Sequence, residues 1–143
     1  VPKSFQAIEW IAYASNVFNA LVPFYGSISE TPDYLSNTTD TVSTDNFYWS
    51  SRLIAAMADA SYRHSAIHIE RYQRNVMSKG HQILFEYDQL LQKEKDSTKQ
   101  MILKHEANQK IADMLKKETS KTLSLVLNEL SHSMKNAFAR SDA

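Results

Sequence analysis

The sequence contains no cysteine and only two glycines and three prolines among its 143 residues. The absence of cysteine excludes a disulfide framework, a thiolate zinc site and a cysteine nucleophile within these residues. The prolines, Pro2, Pro23 and Pro32, all lie in the first quarter of the chain. The remaining three quarters can therefore form long helices.

An excess of charge of one sign is also lacking, because Lys plus Arg and Asp plus Glu both number 16. Binding to nucleic acid or to an anionic membrane depends on excess positive charge, so we expect neither partner. No stretch approaches the roughly 18 uninterrupted apolar residues of a membrane span, and no basic region precedes an apolar core near the start. These features predict a cytoplasmic location. The chain starts with Val1-Pro2, so we expect a processed form or a piece of a longer protein.

Two apolar segments predict a β-hairpin over residues 1–25. Residues 7–14 and 17–25 are nearly continuous in apolar side chains, and Ser15-Asn16 between them is typical of a short turn. Apolar residues on both sides of a strand indicate that both of its faces are covered. An isolated two-stranded ribbon is marginal in water, and no third strand follows. The rest of the sheet should therefore lie outside this chain.

The remaining sequence predicts a loop and three helices. Residues 26–44 include nine Ser or Thr and are typical of a connecting loop. A helix over 45–63, capped by Thr44 or Asp45, has an apolar face made of Trp49, Leu53, Ala56, Met57 and Ala60. A long antiparallel helical hairpin over 65–143 starts at a Ser65 cap and turns at Asp96-Ser97, and its pattern leaves open whether residues 97–140 form one helix or two. The predicted fold is a single α-dominated α+β unit over 1–143.

The helical hairpin shows an apolar stripe opposite a charged face. In its first helix the stripe comprises Ile69, Tyr72, Val76, Ile83, Leu84, Tyr87, Leu90 and Leu91. In its second helix the stripe comprises Ile102, Ile111, Met114, Leu115, Leu123, Val126, Leu127, Leu130, Met134 and Phe138. Lys104 and Lys110 belong to a face of mixed charge, which is typical of a solvated surface. We therefore expect Leu123 and Leu127 to be buried and the two lysines to be exposed.

The residues by themselves offer no complete active site. His64 and His68 are four apart and could share a metal, but zinc enzymes of this type place a Glu directly after the first His, where this chain has Ser65. Two surface or partly packed histidines are the favoured interpretation. The acidic loop residues lack the spacing of a calcium loop, and no glycine-rich phosphate loop or serine nucleophile elbow is present. We expect no metal and no cofactor.

Several segments together resemble one enzyme family. These are Val1-Pro2, Ile8-Glu9-Trp10-Ile11-Ala12, Val22-Pro23-Phe24-Tyr25, Thr31-Pro32, Asp45-Asn46-Phe47-Tyr48-Trp49, Arg52-Leu53-Ile54-Ala55-Ala56 and Ala58-Asp59. In order and spacing they resemble the C-terminal part of the bacterial dipeptidase A family over residues 1–75. The resemblance implies an N-terminal-nucleophile hydrolase with an αββα sandwich, in which a cysteine at the mature N-terminus attacks the peptide carbonyl of a dipeptide and its own α-amino group serves as the base.

The resemblance assigns no catalytic residue to this chain, which has no cysteine. It implies a C-terminal fragment that completes the sheet, with the catalytic N-terminal part missing. Tyr25, the 26–44 loop and Arg52 are the candidates for contact with substrate, although Arg52 is equally interpreted as a structural ion pair with Asp45 or Asp59.

Two further expectations concern association. The apolar hairpin should make the isolated fragment self-associate, as a homodimer or larger assembly, through residues 7–25 or through the long helices. The alternative function from a different class is a non-enzymatic helical module for protein–protein interaction.

Overall fold

A computed structural model describes residues 8–12, 18–26 and 31–141, with side chains as far as residue 134. The elements in chain order are strands β1 (Ile8–Ile11) and β2 (Val22–Tyr25), then helices α1 (Asp33–Ser36), α2 (Phe47–Ala60), α3 (Tyr62–Lys93) and α4 (Ser97–Ser141). The predicted α-dominated α+β class is confirmed. The predicted turn at Ser15-Asn16 lies outside the described residues.

The two strands form an antiparallel sheet in which Ile8 lies opposite Tyr25 and Trp10 lies opposite Pro23. All four residues of β2 are buried, because α3 and α4 pack against this strand. In β1, by contrast, Glu9 and Trp10 are exposed. The prediction of strands covered on both faces is therefore right for β2 and wrong for β1.

Helix α2 begins two residues later than predicted. Its N-cap is Asn46, whose side-chain oxygen accepts a hydrogen bond of 2.9 Å from the backbone N–H of Trp49, so neither Thr44 nor Asp45 is the cap. The buried face also differs, since Phe47, Ile54 and Ala58 are fully buried.

Two of the alanines that were expected on this apolar face, Ala56 and Ala60, are exposed. The small side chains of Ser50 and Ser51 are buried instead, and the Ser50 hydroxyl donates a hydrogen bond of 3.3 Å to the backbone carbonyl of Thr44. Small polar residues thus occupy buried positions that hydrophobicity alone assigned to their neighbours.

Helix α3 starts at Tyr62, one residue after Ser61. Ser65, the predicted cap, lies inside the helix, is fully buried and hydrogen-bonds Ser61 through their hydroxyls at 2.9 Å. The predicted stripe is buried or half-buried except at Leu90, which is 48% exposed. Gly80 lies beneath β2, where a Cβ would stand 3.1 Å from Cδ of Pro23. The glycine therefore costs some helix propensity but lets the strand approach the helix backbone.

Helix α4 is one continuous helix of 45 residues, which answers the question that the sequence pattern left open. Leu127 is 50% exposed and Val126 is fully buried, so the predicted burial of Leu127 is wrong. Lys104, predicted to be solvated, is 7% exposed, while Lys110 is exposed as predicted. Ile102 and Met134 are also exposed instead of buried, and the side chain of Phe138 lies outside the described residues.

The wider contact surface of α4 explains these differences. The helix packs against α2, α3 and β2, so its buried face is broader than one apolar stripe and includes Asn108, Glu118, Thr119 and Thr122. Two of these residues join α4 to α3, since the Thr119 hydroxyl is hydrogen-bonded to that of Tyr72 at 2.9 Å and Glu118 forms an ion pair with Lys79. None of the helices within the described residues is long and apolar enough to cross a membrane.

Candidate functional site

The end of β2 is held by a single buried side chain of α4. The Oδ1 atom of Asn108 accepts a hydrogen bond of 2.8 Å from the backbone N–H of Tyr25, and its Nδ2 donates one of 2.9 Å to the backbone carbonyl of the same residue. Asn108 is only 3% exposed. A carboxamide that bonds both polar groups of one strand residue takes the place of a neighbouring strand. Asn108 therefore fixes the point at which β2 leads into the 26–44 loop.

The Tyr25 side chain is anchored to α3. Its hydroxyl donates a hydrogen bond to Oδ1 of Asp88 at 2.5 Å. Burial is the main cause that raises the pKa of Tyr25 far above its usual value, and the hydrogen bond and negative charge of Asp88 raise the pKa further. Tyr25 is thus a neutral hydrogen-bond donor at physiological pH, and its ring is held in one orientation.

A cleft opens between the sheet, the start of the loop and α4. Its inner part has a volume of about 50 Å³ and is lined by Glu9, Ile11, Phe24, Tyr25, Gly26, Thr31, Pro32, Leu35 and Asn108. A more open part of about 250 Å³ shares Thr31, Pro32 and Asn108 and adds Asp33, His105 and Gln109. The structure thus brings together two of the three predicted site features, Tyr25 and the 26–44 loop.

Gly26 shapes the mouth of this cleft. A Cβ at this position would stand 2.8 Å from Cγ of Glu9, which is closer than real Cβ atoms approach. Without a side chain at position 26, the exposed Glu9 carboxylate can lie across the start of the loop. The cleft therefore carries an acidic group at its rim beside polar groups of α4.

Arg52 does not line this cleft. It is exposed on α2, and the carbon of its guanidinium lies 5.7 Å from the centroid of the Tyr48 ring. Among the described side chains, no ion pair joins Arg52 to Asp45 or Asp59. The structural ion pair proposed as the alternative role of Arg52 is therefore not formed, and its planar cation remains accessible to an external carboxylate.

The two histidines do not form a metal site. Nε2 of His68 lies 3.0 Å from Oε1 of Glu129 on α4, whereas His64 is exposed near the start of α3. The hydrogen bond to His68 is the main cause that lowers the pKa of Glu129. No group of three or more metal-binding side chains occurs among the residues for which the structure gives positions. His68 therefore links the two long helices.

The sequence analysis did not predict three residues that line the cleft or hold Tyr25 in place. Glu9 lies inside an apolar run that gives no sign of a cleft, and Asp88 and Asn108 lie inside long helices as ordinary polar residues. The available signal was the position of Asn108 between Ala107 and Ile111 on the apolar side of α4, where a polar side chain needs a buried partner.

Comparison with known proteins agrees with the resemblance found in the sequence. A probable dipeptidase A of Streptococcus pyogenes serotype M18 is 42% identical over 99% of this chain, and a dipeptidase of Bifidobacterium longum is 34% identical over 99% of the chain. The dipeptidase A of Lactobacillus helveticus is 26% identical over 90% of the chain.

The chain spans less than a third of the length of these relatives, namely 29% of the S. pyogenes protein and 33% of the B. longum protein. The family model "Peptidase family C69" matches residues 1–75, which include both strands and the whole of α2. The predicted resemblance to dipeptidase A is confirmed by these relatives. The chain belongs to peptidase family C69.

Proposed function

We propose that this chain is the C-terminal part of a dipeptidase, an enzyme that hydrolyses the peptide bond of dipeptides with an N-terminal cysteine as nucleophile. The observation that carries the proposal is the 42% identity to a probable dipeptidase A over 99% of this chain. Because the chain contains no cysteine, the nucleophile belongs to the part of the enzyme outside it. Family membership favours this function over the helical interaction module.

In this proposal the chain has a structural role and a binding role. Helices α3 and α4 form a rigid support for β2, and the Asn108 bonds hold the strand's end in a defined position. The cleft beside Tyr25 then forms one side of the dipeptide site. Tyr25 is a positioning residue, since its hydroxyl already donates to Asp88 and it lines the cleft beside Gly26, the first residue of the 26–44 loop.

Arg52 does not line the cleft beside Tyr25, so its proposed contact with the free carboxylate of the dipeptide requires a dipeptide site that extends beyond the cleft to the exposed face of α2. A guanidinium can bind a carboxylate through two parallel hydrogen bonds, which gives both affinity and orientation. Stacking on Tyr48 limits the conformations of this side chain and so lowers the entropy lost when substrate binds.

The experiment is a chimera in which this chain replaces the matching segment of the S. pyogenes relative. We expect the chimera to hydrolyse dipeptides, to lose activity on alkylation of its N-terminal cysteine, and the 143-residue chain alone to be inactive. A folded chimera without hydrolysis, or with hydrolysis that alkylation leaves intact, would contradict the proposal.

The role of Arg52 is tested in the same chimera. Arg52→Ala should raise KM for dipeptides about tenfold, since losing a charge-assisted contact costs roughly 1.4 kcal/mol or more. The matched control is Arg63→Ala, which removes another exposed arginine. An equal KM for the two variants would remove Arg52 from the binding site.

The partners proposed are the dipeptide substrate and the missing N-terminal part, while the isolated chain is proposed to self-associate. Trp10 and Leu21 expose 44% and 40% of their surface, which supports an association that buries the hairpin region. Light scattering over a concentration series tests this, and a monomer at all concentrations would contradict it. The cytoplasmic location stays a prediction of the sequence, to be tested by cell fractionation.

A further inference from the structure

The outer edge of β2 is closed to further strands. Residues two apart on a strand direct their backbone polar groups to the same side, so Pro23 and Tyr25 share one edge. The N–H and carbonyl of Tyr25 are both bonded to Asn108, which places that edge away from β1. Pro23 has no N–H to offer there. A strand approaching β2 from this side would find no free donor at either position.

The opposite edge of the sheet, on β1, is open to a further strand. Ile8 and Trp10 lie opposite Tyr25 and Pro23, so they form non-hydrogen-bonded pairs and direct their own N–H and carbonyl groups away from β2. Within the described residues the sheet has only these two strands. The backbone of β1 therefore presents donors and acceptors in the spacing that a third strand requires.

Exposed aromatic side chains occur on β1 and on the side of α3 that Trp10 contacts. The Trp10 ring lies 5.6 Å from the His81 ring of α3, measured between centroids. Phe85 follows His81 by one helical turn on the same side of the helix and is 63% exposed. An open edge beside two exposed aromatic rings is the arrangement expected where a further strand packs on a helix.

We propose that the free edge of β1 pairs with a β-strand from the part of the protein outside this chain, so that the sheet grows from β1 and ends at β2. This inference rests on the proposed function, in which the chain is part of a longer enzyme. The source of the strand follows from length, because the chain spans only 29% of the S. pyogenes relative and a two-stranded sheet is marginal by itself. In the isolated chain the same edge is open to a second copy.

Hydrogen exchange at single amides tests the proposal, with the isolated chain studied at a concentration where light scattering shows a monomer. The Trp10 amide should exchange about 100-fold more slowly in the chimera than in the monomer, because it gains a strand partner. The Glu9 and Ile11 amides, which face β2, are the internal controls and should be protected in both. Equal exchange of the Trp10 amide in a folded chimera and in the monomer would overturn the proposal.

Two variants give a second measurement. Trp10→Pro removes the ring together with an N–H that faces away from β2, and it also fixes φ, whereas Trp10→Val removes the same ring and keeps the donor. The difference in melting temperature between the two variants should be larger in the chimera than in the monomer, because the monomer shows only the backbone preference of proline. An equal difference in the chimera and in the monomer would contradict the proposal.

A chimera that fails to fold and a chimera that folds without activity both have a defined meaning for the proposal. If the chimera does not fold, the isolated chain is titrated with overlapping peptides that cover the rest of the S. pyogenes relative, and failure of every peptide to protect the Trp10 amide would overturn the proposal. The readouts also separate this inference from the proposed function. A chimera with a protected Trp10 amide but no hydrolysis would overturn the function alone, and hydrolysis with an unprotected amide would overturn the edge pairing alone.

Discussion

Replacing Asn108 with alanine should destabilise the chain strongly, because one small side chain satisfies two buried backbone groups. The substitution removes the bonds of 2.8 and 2.9 Å and leaves the N–H and carbonyl of Tyr25 without partners at a position where Tyr25 is only 2% exposed. An unsatisfied buried polar group costs about 1–3 kcal/mol. Two such groups would cost about 2–6 kcal/mol, a large fraction of the roughly 5–15 kcal/mol that stabilises a typical domain.

The neighbouring cleft reduces the expected loss of stability in Asn108→Ala. Asn108 lines the inner cavity of about 50 Å³, so water can reach the exposed backbone groups after the side chain is removed. We therefore expect a loss of about 2–4 kcal/mol in the free energy of unfolding. Helix propensity acts in the opposite direction, since alanine is favoured over asparagine by up to about 0.7 kcal/mol within a helix.

A matched control removes the propensity contribution. Asn128 lies on the same helix and is exposed, so Asn128→Ala gains the same helix propensity and leaves the two hydrogen bonds of Asn108 intact. Urea unfolding followed by far-ultraviolet circular dichroism should show Asn108→Ala at least about 2 kcal/mol less stable than Asn128→Ala. In addition, the Tyr25 amide should lose its protection from hydrogen exchange. Equal stability of the two variants would contradict this prediction, because it would mean that the two hydrogen bonds make no net contribution to stability.

Further predictions concern packing and pH. Val126→Ala should lower the free energy of unfolding by about 1.5–3 kcal/mol because Val126 is fully buried. Leu127→Ala should change it by at most about 0.5 kcal/mol, because Leu127 is half exposed. Equal effects of the two variants in denaturant titrations would show that the buried face of α4 is misassigned. The folded-state pKa of Tyr25 is raised above the ordinary value of 10.0, so its contribution to stability is present below pH 10 and is lost as the pH rises further. Tyr25→Phe should therefore flatten the fall in melting temperature at alkaline pH, and an unchanged slope would contradict this. The pKa of Glu129 is lowered chiefly by its hydrogen bond to His68. In His68→Ala a carbon-detected NMR titration should therefore show the pKa of Glu129 closer to its ordinary value. An unchanged pKa would mean that the bond between His68 and Glu129 is not formed in solution.

Features that depend on local chemistry were predictable from the order of the residues. The scarcity of glycine and proline after Pro32 and the helical spacing of apolar residues were enough to predict the long helices. The boundary at Asp96-Ser97 agrees with the start of α4, since Asp96 accepts a hydrogen bond of 3.0 Å from the Thr98 N–H. The family resemblance likewise depended only on the order of short segments near the start of the chain.

Which side of each helix is buried and where the cleft lies depend on long-range packing, which local patterns do not predict. Leu127 and Val126 are adjacent and both apolar, so periodicity alone could not choose between them, and the choice follows from how α4 packs against α2 and α3. The two hydrogen bonds that hold the end of β2 join Tyr25 to Asn108, which are 83 residues apart in sequence. No local pattern predicts such a pair, because a buried asparagine becomes favourable only when folding brings an unpaired strand edge within hydrogen-bonding distance.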